Sequence, residues 1–315
     1  MKLTSENPAT DSTNELTLSG RIIKGIGGFY YVKVPGGDIY ECKAKGVFRN
    51  RSEKPLVGDE CEIDITDAEN GIGNIRKLLP RKNSLIRPEI ANVDQAMIIF
   101  AIKKPEPNFN LLDRFLIHME SRNIPCIICL NKEDLADKEE FKEIVSAYEK
   151  SGNRVCVISA KKKTGVAAVR KLLAGKTTTV AGPSGVGKST LINELLGLNA
   201  METGSISEKI DRGKHTTRHS ELFCVSIDGK DTFLFDTPGF SSLNVPDPGL
   251  KPLAEFYHEF DEFEPFCRFA GCSHIGEREC GVKAALKEGK IAKLRYDNYV
   301  QLYEEVKKSG RYPKR

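Results

Sequence analysis

The segment Gly182-Pro183-Ser184-Gly185-Val186-Gly187-Lys188-Ser189 stands well inside a 315-residue chain, directly after the apolar run Thr177–Ala181 and directly before a helical pattern from Lys188 to Leu196. A strand, a glycine-rich turn and a helix in that order aim successive backbone N–H groups and the positive end of the helix at one point. That point suits phosphate, and the turn needs a parallel α/β sheet to hang from. Within the loop, Lys188 is placed to reach the β and γ phosphates as a catalytic cation, and Ser189 to ligate Mg²⁺. Thr190 closes the candidate phosphate-binding set.

Further loops follow strands in the same manner. Asp236-Thr237-Pro238-Gly239 comes straight after the apolar strand Thr232–Phe235, where Asp236 can hold Mg²⁺ through water and the Gly239 N–H can sense a γ-phosphate. Asn131-Lys132-Glu133-Asp134 follows the buried strand Cys126–Leu130, and the Asp134 carboxylate can accept from N1–H and the exocyclic amine of guanine, a donor pair that adenine lacks. The Lys132 stem can stack on the base. Ser159-Ala160-Lys161, again just past a strand, offers a backbone donor to the guanine oxygen. Alone, each has a bland reading: a turn, a solvated loop, a helix cap. Together, each after its own strand, they favour a guanine nucleotide over an adenine one. Their order is rotated, because the base-reading loop precedes the phosphate loop, whereas an ordinary small GTPase has the phosphate loop first.

Short strands at Leu16–Ile23, Phe29–Val34, Asp38–Ala44, Glu60–Asp64 and Ile72–Leu78, separated by glycine-rich turns, predict a small β-barrel over residues 16–82. From Gln95 the chain alternates strand and helix, predicting a doubly wound α/β domain over 83–245. The helices are expected at Leu111–Arg122, Lys138–Lys150, Gly165–Leu173 and Lys188–Leu196. Pro246, Pro248 and Pro252 mark the next boundary, and 246–315 reads as a mostly helical domain, with one helical pattern from Val282 to Lys308. Residues 1–15 read as a flexible N-terminus without the basic and apolar regions of a signal peptide, so a cytoplasmic protein is expected.

Nine cysteines, an odd count and most of them single in apolar runs, argue against a disulfide framework, and a cluster near the C-terminus points to metal instead. Cys267, Cys272, His274 and Cys280 lie within fourteen residues and form the ligand set of a closed tetrahedral zinc site, structural rather than catalytic. Cys126 and Cys129 sit in an apolar strand and read as core. Net charge is only +4, so its distribution carries the argument. Seven Lys/Arg against two acids lie between Arg21 and Arg51, among Phe29, Tyr30, Tyr31, Tyr40 and Phe48. Such a surface suits single-stranded or loop RNA, with Lys43, Lys45, Arg49 and Arg51 as phosphate contacts, although interleaved aromatics on strands are also simply core. The tail from Lys283 to Arg315 has ten bases against four acids and is a second candidate contact, whereas Glu255 to Glu264 holds five carboxylates and no Lys or Arg.

The barrel pattern, Leu85-Ile86-Arg87-Pro88 with Ala91-Asn92-Val93-Asp94, the phosphate loop, Gly213-Lys214-His215-Thr216-Thr217, Asp236-Thr237-Pro238-Gly239-Phe240 and the Cys/His cluster together resemble the ribosome small-subunit-dependent GTPases of the RsgA or YjeQ family. The likeness covers nearly everything after residue 16. It implies an OB-fold domain, a circularly permuted GTPase domain and a zinc-binding C-terminal domain, acting with GTP and Mg²⁺ in late maturation of the bacterial 30S subunit, in contact with its rRNA. Where many GTPases carry a water-orienting Gln after Asp-x-x-Gly, this chain has Phe240, which cannot hydrogen-bond. His215 is the candidate for that role, and the resemblance places it near the γ-phosphate with Thr217 on Mg²⁺. A monomer is expected, since nothing demands a dimer. The contrasting reading is an RNA-binding barrel and zinc module whose nucleotide site is largely structural and does not hydrolyse; an ATP-driven RNA remodelling enzyme is disfavoured by Asn131-Lys132-x-Asp134.

Overall fold

The computed structural model describes residues 16–44, 48, 54–86, 89–197, 221–236 and 252–309, which fall into two compact units, one running to Ala91 and including Glu221, the other beginning at Asn92. In the first unit, β1 (Thr17–Ile26), β2 (Phe29–Lys33), β3 (Ile39–Ala44), β4 (Glu60–Asp67) and β5 (Ile72–Leu78) close into a barrel in the order β1-β2-β3-β5-β4. All its pairings are antiparallel except β3 with β5, which is the strand order of an OB-fold. Alternate residues Ile22, Val32, Tyr40, Cys42, Cys61, Ile63 and Ile75 fill the interior, with Phe48 among them. Asp59, buried beneath the barrel strands, is held by both nitrogens of the Arg81 fork, at 2.6 and 2.8 Å. A short hairpin of β6 (Ser84–Ile86) and β7 (Glu89–Ala91) completes the unit.

The second unit is built on a six-stranded sheet of β8 (Gln95–Ala101), β9 (Cys126–Asn131), β10 (Arg154–Val157), β11 (Thr177–Ala181), β12 (Leu222–Ile227) and β13 (Lys230–Asp236), in the order β10-β9-β8-β11-β13-β12. Five of these strands run parallel and only the edge strand β12 is antiparallel. β8, β9 and β11 are buried along their whole length, as near-continuous apolar or Thr-rich runs demand of strands covered on both faces. Crossover helices α1 (Phe109–Glu120), α2 (Lys138–Glu149), α3 (Val166–Leu173) and α4 (Lys188–Leu196) cover them. Asn108 caps α1 by accepting from the Leu111 N–H at 3.0 Å.

Residues 252–309 pack an aromatic core of Phe256, Tyr257, Phe260 and Tyr299 against Ile117 of α1. The expected single helix from Val282 to Lys308 is instead two, α5 (Gly281–Lys287) and α6 (Lys293–Lys308). Gly289 causes the break: at φ +71° it follows the end of α5, its N–H donates to Leu286 O at 3.1 Å, and the Lys290 N–H donates to Ala285 O at 2.9 Å. That pair of bonds closes a Schellman motif, which a residue with a Cβ adopts poorly. Among the described residues no helix is long and apolar enough to cross a membrane.

Candidate functional site

Because β8, β9, β10, β11 and β13 are parallel, the loops after them share one edge of the sheet, where ligands of such sheets bind. Asn131, at the end of β9, joins two of these loops. Its Nδ2 donates to Val186 O in the phosphate loop at 2.8 Å, and its Oδ1 accepts from the Ala160 N–H at 2.9 Å. Ser159 binds a third segment, its Oγ donating to Asp134 Oδ1 at 2.6 Å while accepting from the Lys162 N–H at 3.1 Å. The Ser159 hydroxyl, with lesser help from nearby lysines, holds the Asp134 carboxyl below the usual carboxylate range, so this acceptor stays ionised.

Lys132 takes a left-handed backbone, φ 66°, which turns its side chain along the phosphate loop. Its ammonium donates to Gly185 O at 2.7 Å and also to Lys104 O, in the loop after β8. Lys104 is thus a supporting residue that motif reading missed; the Lys104-Pro105 turn was its only signal. Glu133 follows in the same loop, and Lys161 is exposed beside Ala160.

In the phosphate loop, Gly182 has φ +145° and a Cβ there would strike Ile99 O, while Gly187 has φ +95° and a Cβ would strike Asn131 Nδ2. Any larger residue at either position would break the loop's fit to β8 or its tie to Asn131. Lys188 Nζ curls back over the loop, donating to Gly182 O at 2.9 Å and Pro183 O at 2.7 Å. Pro183, Ser184 and Gly185 lie between those carbonyls and the buried Val186, and Ser189 and Thr190 are exposed in the first turn of α4, whose N–H groups have no partner inside the helix. The structure therefore brings together Asn131, Lys132, Asp134, Ser159, Ala160, the 182–187 loop and Lys188. For Mg²⁺, Ser189 beside Lys188 and the backbone of Asp236 at the end of β13 stand at the same sheet edge, a placement that fits the ion. His215, Thr217 and Gly239 lie outside the described residues, as do the side chain of Asp236 and the barrel residues Lys45, Arg49 and Arg51.

Of the barrel aromatics, Tyr40 and Phe48 are core, while Phe29, Tyr30 and Tyr31 are partly exposed and Lys43 Nζ sits 5.1 Å from the Phe29 ring centre. The stacking surface is accordingly narrower than the sequence suggested.

Cys267, Cys272, His274 and Cys280 converge, their ligand atoms all within 4.8 Å of one another. Cys267 Sγ lies 3.9 Å from Cys280 Sγ and 3.7 Å from His274 Nδ1, and Cys280 Sγ lies 3.4 Å from that nitrogen. Tetrahedral zinc, at its usual bond lengths, asks for about 3.8 Å between sulfurs and about 3.6 Å between sulfur and nitrogen, so the set fits that ion. Backbone N–H groups of Gly281 and Lys283 point at Cys267 and Cys280 sulfurs, as they do toward thiolates. Glu264 accepts from His274 Nε2 at 3.0 Å and orients the ring, a carboxylate behind an imidazole of the candidate metal set that sequence reading counted only as part of an acidic run. Burial pushes the Cys272 thiol up to about 12, a bias that a bound cation reverses. Glu277 supports the knuckle: burial opposes its charge, but the Ser273 N–H and hydroxyl and the Ile275 N–H hold its carboxyl down to about 2.

Comparison with known proteins agrees with this architecture. The family model described as RsgA GTPase matches residues 78–246, and that of the RsgA N-terminal domain matches 19–72. The chain is 55% identical to the small ribosomal subunit biogenesis GTPase RsgA of Agathobacter rectalis, covering 94% of this chain and 100% of that one. It is 48% identical to the protein of the same name from Alkaliphilus metalliredigens, over 93% and 99%. Among solved structures, YjeQ from Thermotoga maritima aligns with a TM-score of 0.73 at 34% identity, over 92% of this chain and 99% of that one. YloQ, described as a circularly permuted GTPase, aligns with 0.74 at 32% identity, over 96% and 99%. With its phosphate loop on the central strand β11 and its base-reading loop earlier in the chain, this protein belongs to the RsgA family of circularly permuted, GTP-hydrolysing enzymes.

Proposed function

We propose that this GTPase acts in late maturation of the small (30S) ribosomal subunit, docking in its GTP form, contacting rRNA, and leaving after hydrolysis to GDP and phosphate. The observation that carries the reading is the Asn131 hub, which ties the base-reading loop, the Ser159–Lys161 loop and the phosphate loop into one guanine-nucleotide cradle. Gly182 to Thr190 surround the phosphates, with Gly239 at the γ-phosphate. Asp134 reads the guanine edge, Lys132 and Glu133 flank the base, and the Ala160 N–H meets the guanine oxygen. Mg²⁺ is held by Ser189, Thr217 and Asp236. Lys188 neutralises charge on the β and γ phosphates, and His215 positions the attacking water. The domains run over 16–82, 83–245 and 246–315, the last holding one structural zinc per chain, and the protein works as a cytoplasmic monomer.

The experiment is GTP turnover by the purified chain, with ATP as control, alone and with added small or large ribosomal subunits. Strong stimulation by the small subunit alone is the expected result. Tight GTP binding with no stimulation by either subunit would return the chain to a passive RNA-binding module.

A further inference from the structure

The metal knuckle carries a surface that a phosphate polymer does not explain. Phe269 is 55% exposed and Phe266, between Pro265 and Cys267, is 75% exposed, the two highest values among the described large apolar side chains of the second unit. Phe269 lines a cleft of about 520 Å³ with Asp261, Glu264, Pro265 and Ala270, floored by three of the metal ligands. Exposed aromatics of this size side by side on one loop mark an interaction site rather than a solvated face.

Charge says what kind. Glu255, Asp261, Glu262 and Glu264 are all exposed along this stretch, with Arg268 as the only Lys or Arg from Glu255 to Ala270. The remaining acid of the run, Glu259, is consumed internally by Arg295. Glu264 spends one oxygen on His274, leaving the other without a partner among the described residues. Nucleic acid is repelled by such a rim. A guanidinium is attracted, and the molecule already shows the pairing in miniature, since Arg268 sits 5.6 Å from the Phe269 ring centre and is held there by Glu279 at 2.6 Å. A chain with a net charge of +4 that concentrates carboxylates around two exposed phenylalanines has there a patch complementary to basic protein.

We propose that the Phe269-lined cleft of the metal knuckle, with Phe266 exposed between two of its lining residues, is a docking site for an Arg/Lys-rich polypeptide segment carrying an apolar anchor. Aromatic faces take the anchor and the guanidinium planes, and Asp261, Glu262 and Glu264 take the charge. The site is independent of nucleotide chemistry; if the chain works on the ribosomal subunit, this face meets a subunit protein and not rRNA.

The test uses the full-length, metal-loaded chain and a fluorescein-labelled peptide of about twelve alternating Arg and Leu residues, followed by anisotropy, with a single-stranded RNA of similar length as control. Phe269→Ala and Glu262→Lys are each expected to weaken peptide binding at least about fivefold, with RNA binding not weakened and metal content and melting temperature kept. Peptide affinity unchanged in both variants overturns the proposal. A photoreactive benzoylphenylalanine at position 266, irradiated in the presence of purified small subunits, gives the second readout. A protease-sensitive, RNase-resistant adduct supports it. An adduct on rRNA, or none while the chain still co-sediments with subunits, overturns it; failure to co-sediment at all counts against the ribosomal function alone, and the peptide titration still decides the site.

Discussion

Replacing Asp134 with Asn exchanges an ionised acceptor for a neutral group that also donates, at a position fixed by Ser159 at 2.6 Å. In the proposed base-reading role guanine offers two donors to that side chain, so GTP affinity should fall by about a hundredfold or more. Xanthosine triphosphate, which presents an oxygen where guanine has its amine, should recover much of the loss. Equal GTP binding by Asp134→Asn and the parent chain would remove Asp134 from base reading. A second residue is legible only in the structure. Burial first, and the Arg122 guanidinium next, hold the His118 imidazole down to about 4 from an ordinary 6.5. The unfolded chain takes up this proton near pH 6.5 and the folded chain only near 4. Stability from this group is therefore complete above about pH 6.5 and drains away as pH falls toward 4. His118→Gln should flatten that slope in urea melts by on the order of 2 kcal/mol between pH 7 and 4.5; an unchanged slope sinks the assignment.

Among the elements, α6 shows most clearly what a sequence conceals. Strand and helix types were legible throughout the nucleotide-binding part, because apolar runs such as Cys126–Leu130 and amphipathic helices such as α3 carry their own signal. Motifs placed after those strands came with the right edge of the sheet attached. A charge count along the chain has no such anchor: Arg295 belongs to the basic tail by sequence, yet its side chain is 2% exposed. It donates to Asp113 of α1 and, at 2.6 Å, to Glu259, while Tyr148 and Asn298 donate to Asp113 at 2.9 and 2.8 Å. None of these partners is near Arg295 in sequence except Asn298, so no local pattern reports them, and one of the tail's ten bases is lost to RNA contact. Arg295→Met leaves two carboxylates facing a methionine and should cost about 3–5 kcal/mol in urea unfolding. Adding Asp113→Asn and Glu259→Gln should return a good part of it. A single-variant cost under about 1 kcal/mol would mean that water already reaches the network.

On the scale of the whole molecule, the contribution of a metal at the Cys/His cluster can be separated from the nucleotide's. Cys267 to Cys280 is a short irregular segment closed by the four ligands, but the segment that docks on α1 is held otherwise, by the stacked Tyr257 and Phe260 rings, by Tyr299 set edge-on to both, and by the Arg295 network. Two tyrosines bridge the parts: Tyr296 and Tyr299 on α6 donate to His274 O and Ser273 O, each at 2.6 Å. Stripping the metal with a chelator, or replacing Cys272 with Ser, should loosen the knuckle while α6 stays on α1 and the cradle around Asn131 is untouched. GTP affinity is then expected to hold within about twofold, since among the described residues no ligand of the metal bonds to a nucleotide loop. Turnover stimulated by the small subunit is expected to drop at least about tenfold, because the face carrying Phe266 and Phe269 loses its shape. Metal analysis, GTP titration and stimulated turnover on one preparation decide the matter. Full stimulation at less than about a tenth of an equivalent of zinc would mean that the knuckle takes no part in engaging the subunit, whereas lost GTP affinity would show that metal and nucleotide stabilise one inseparable unit.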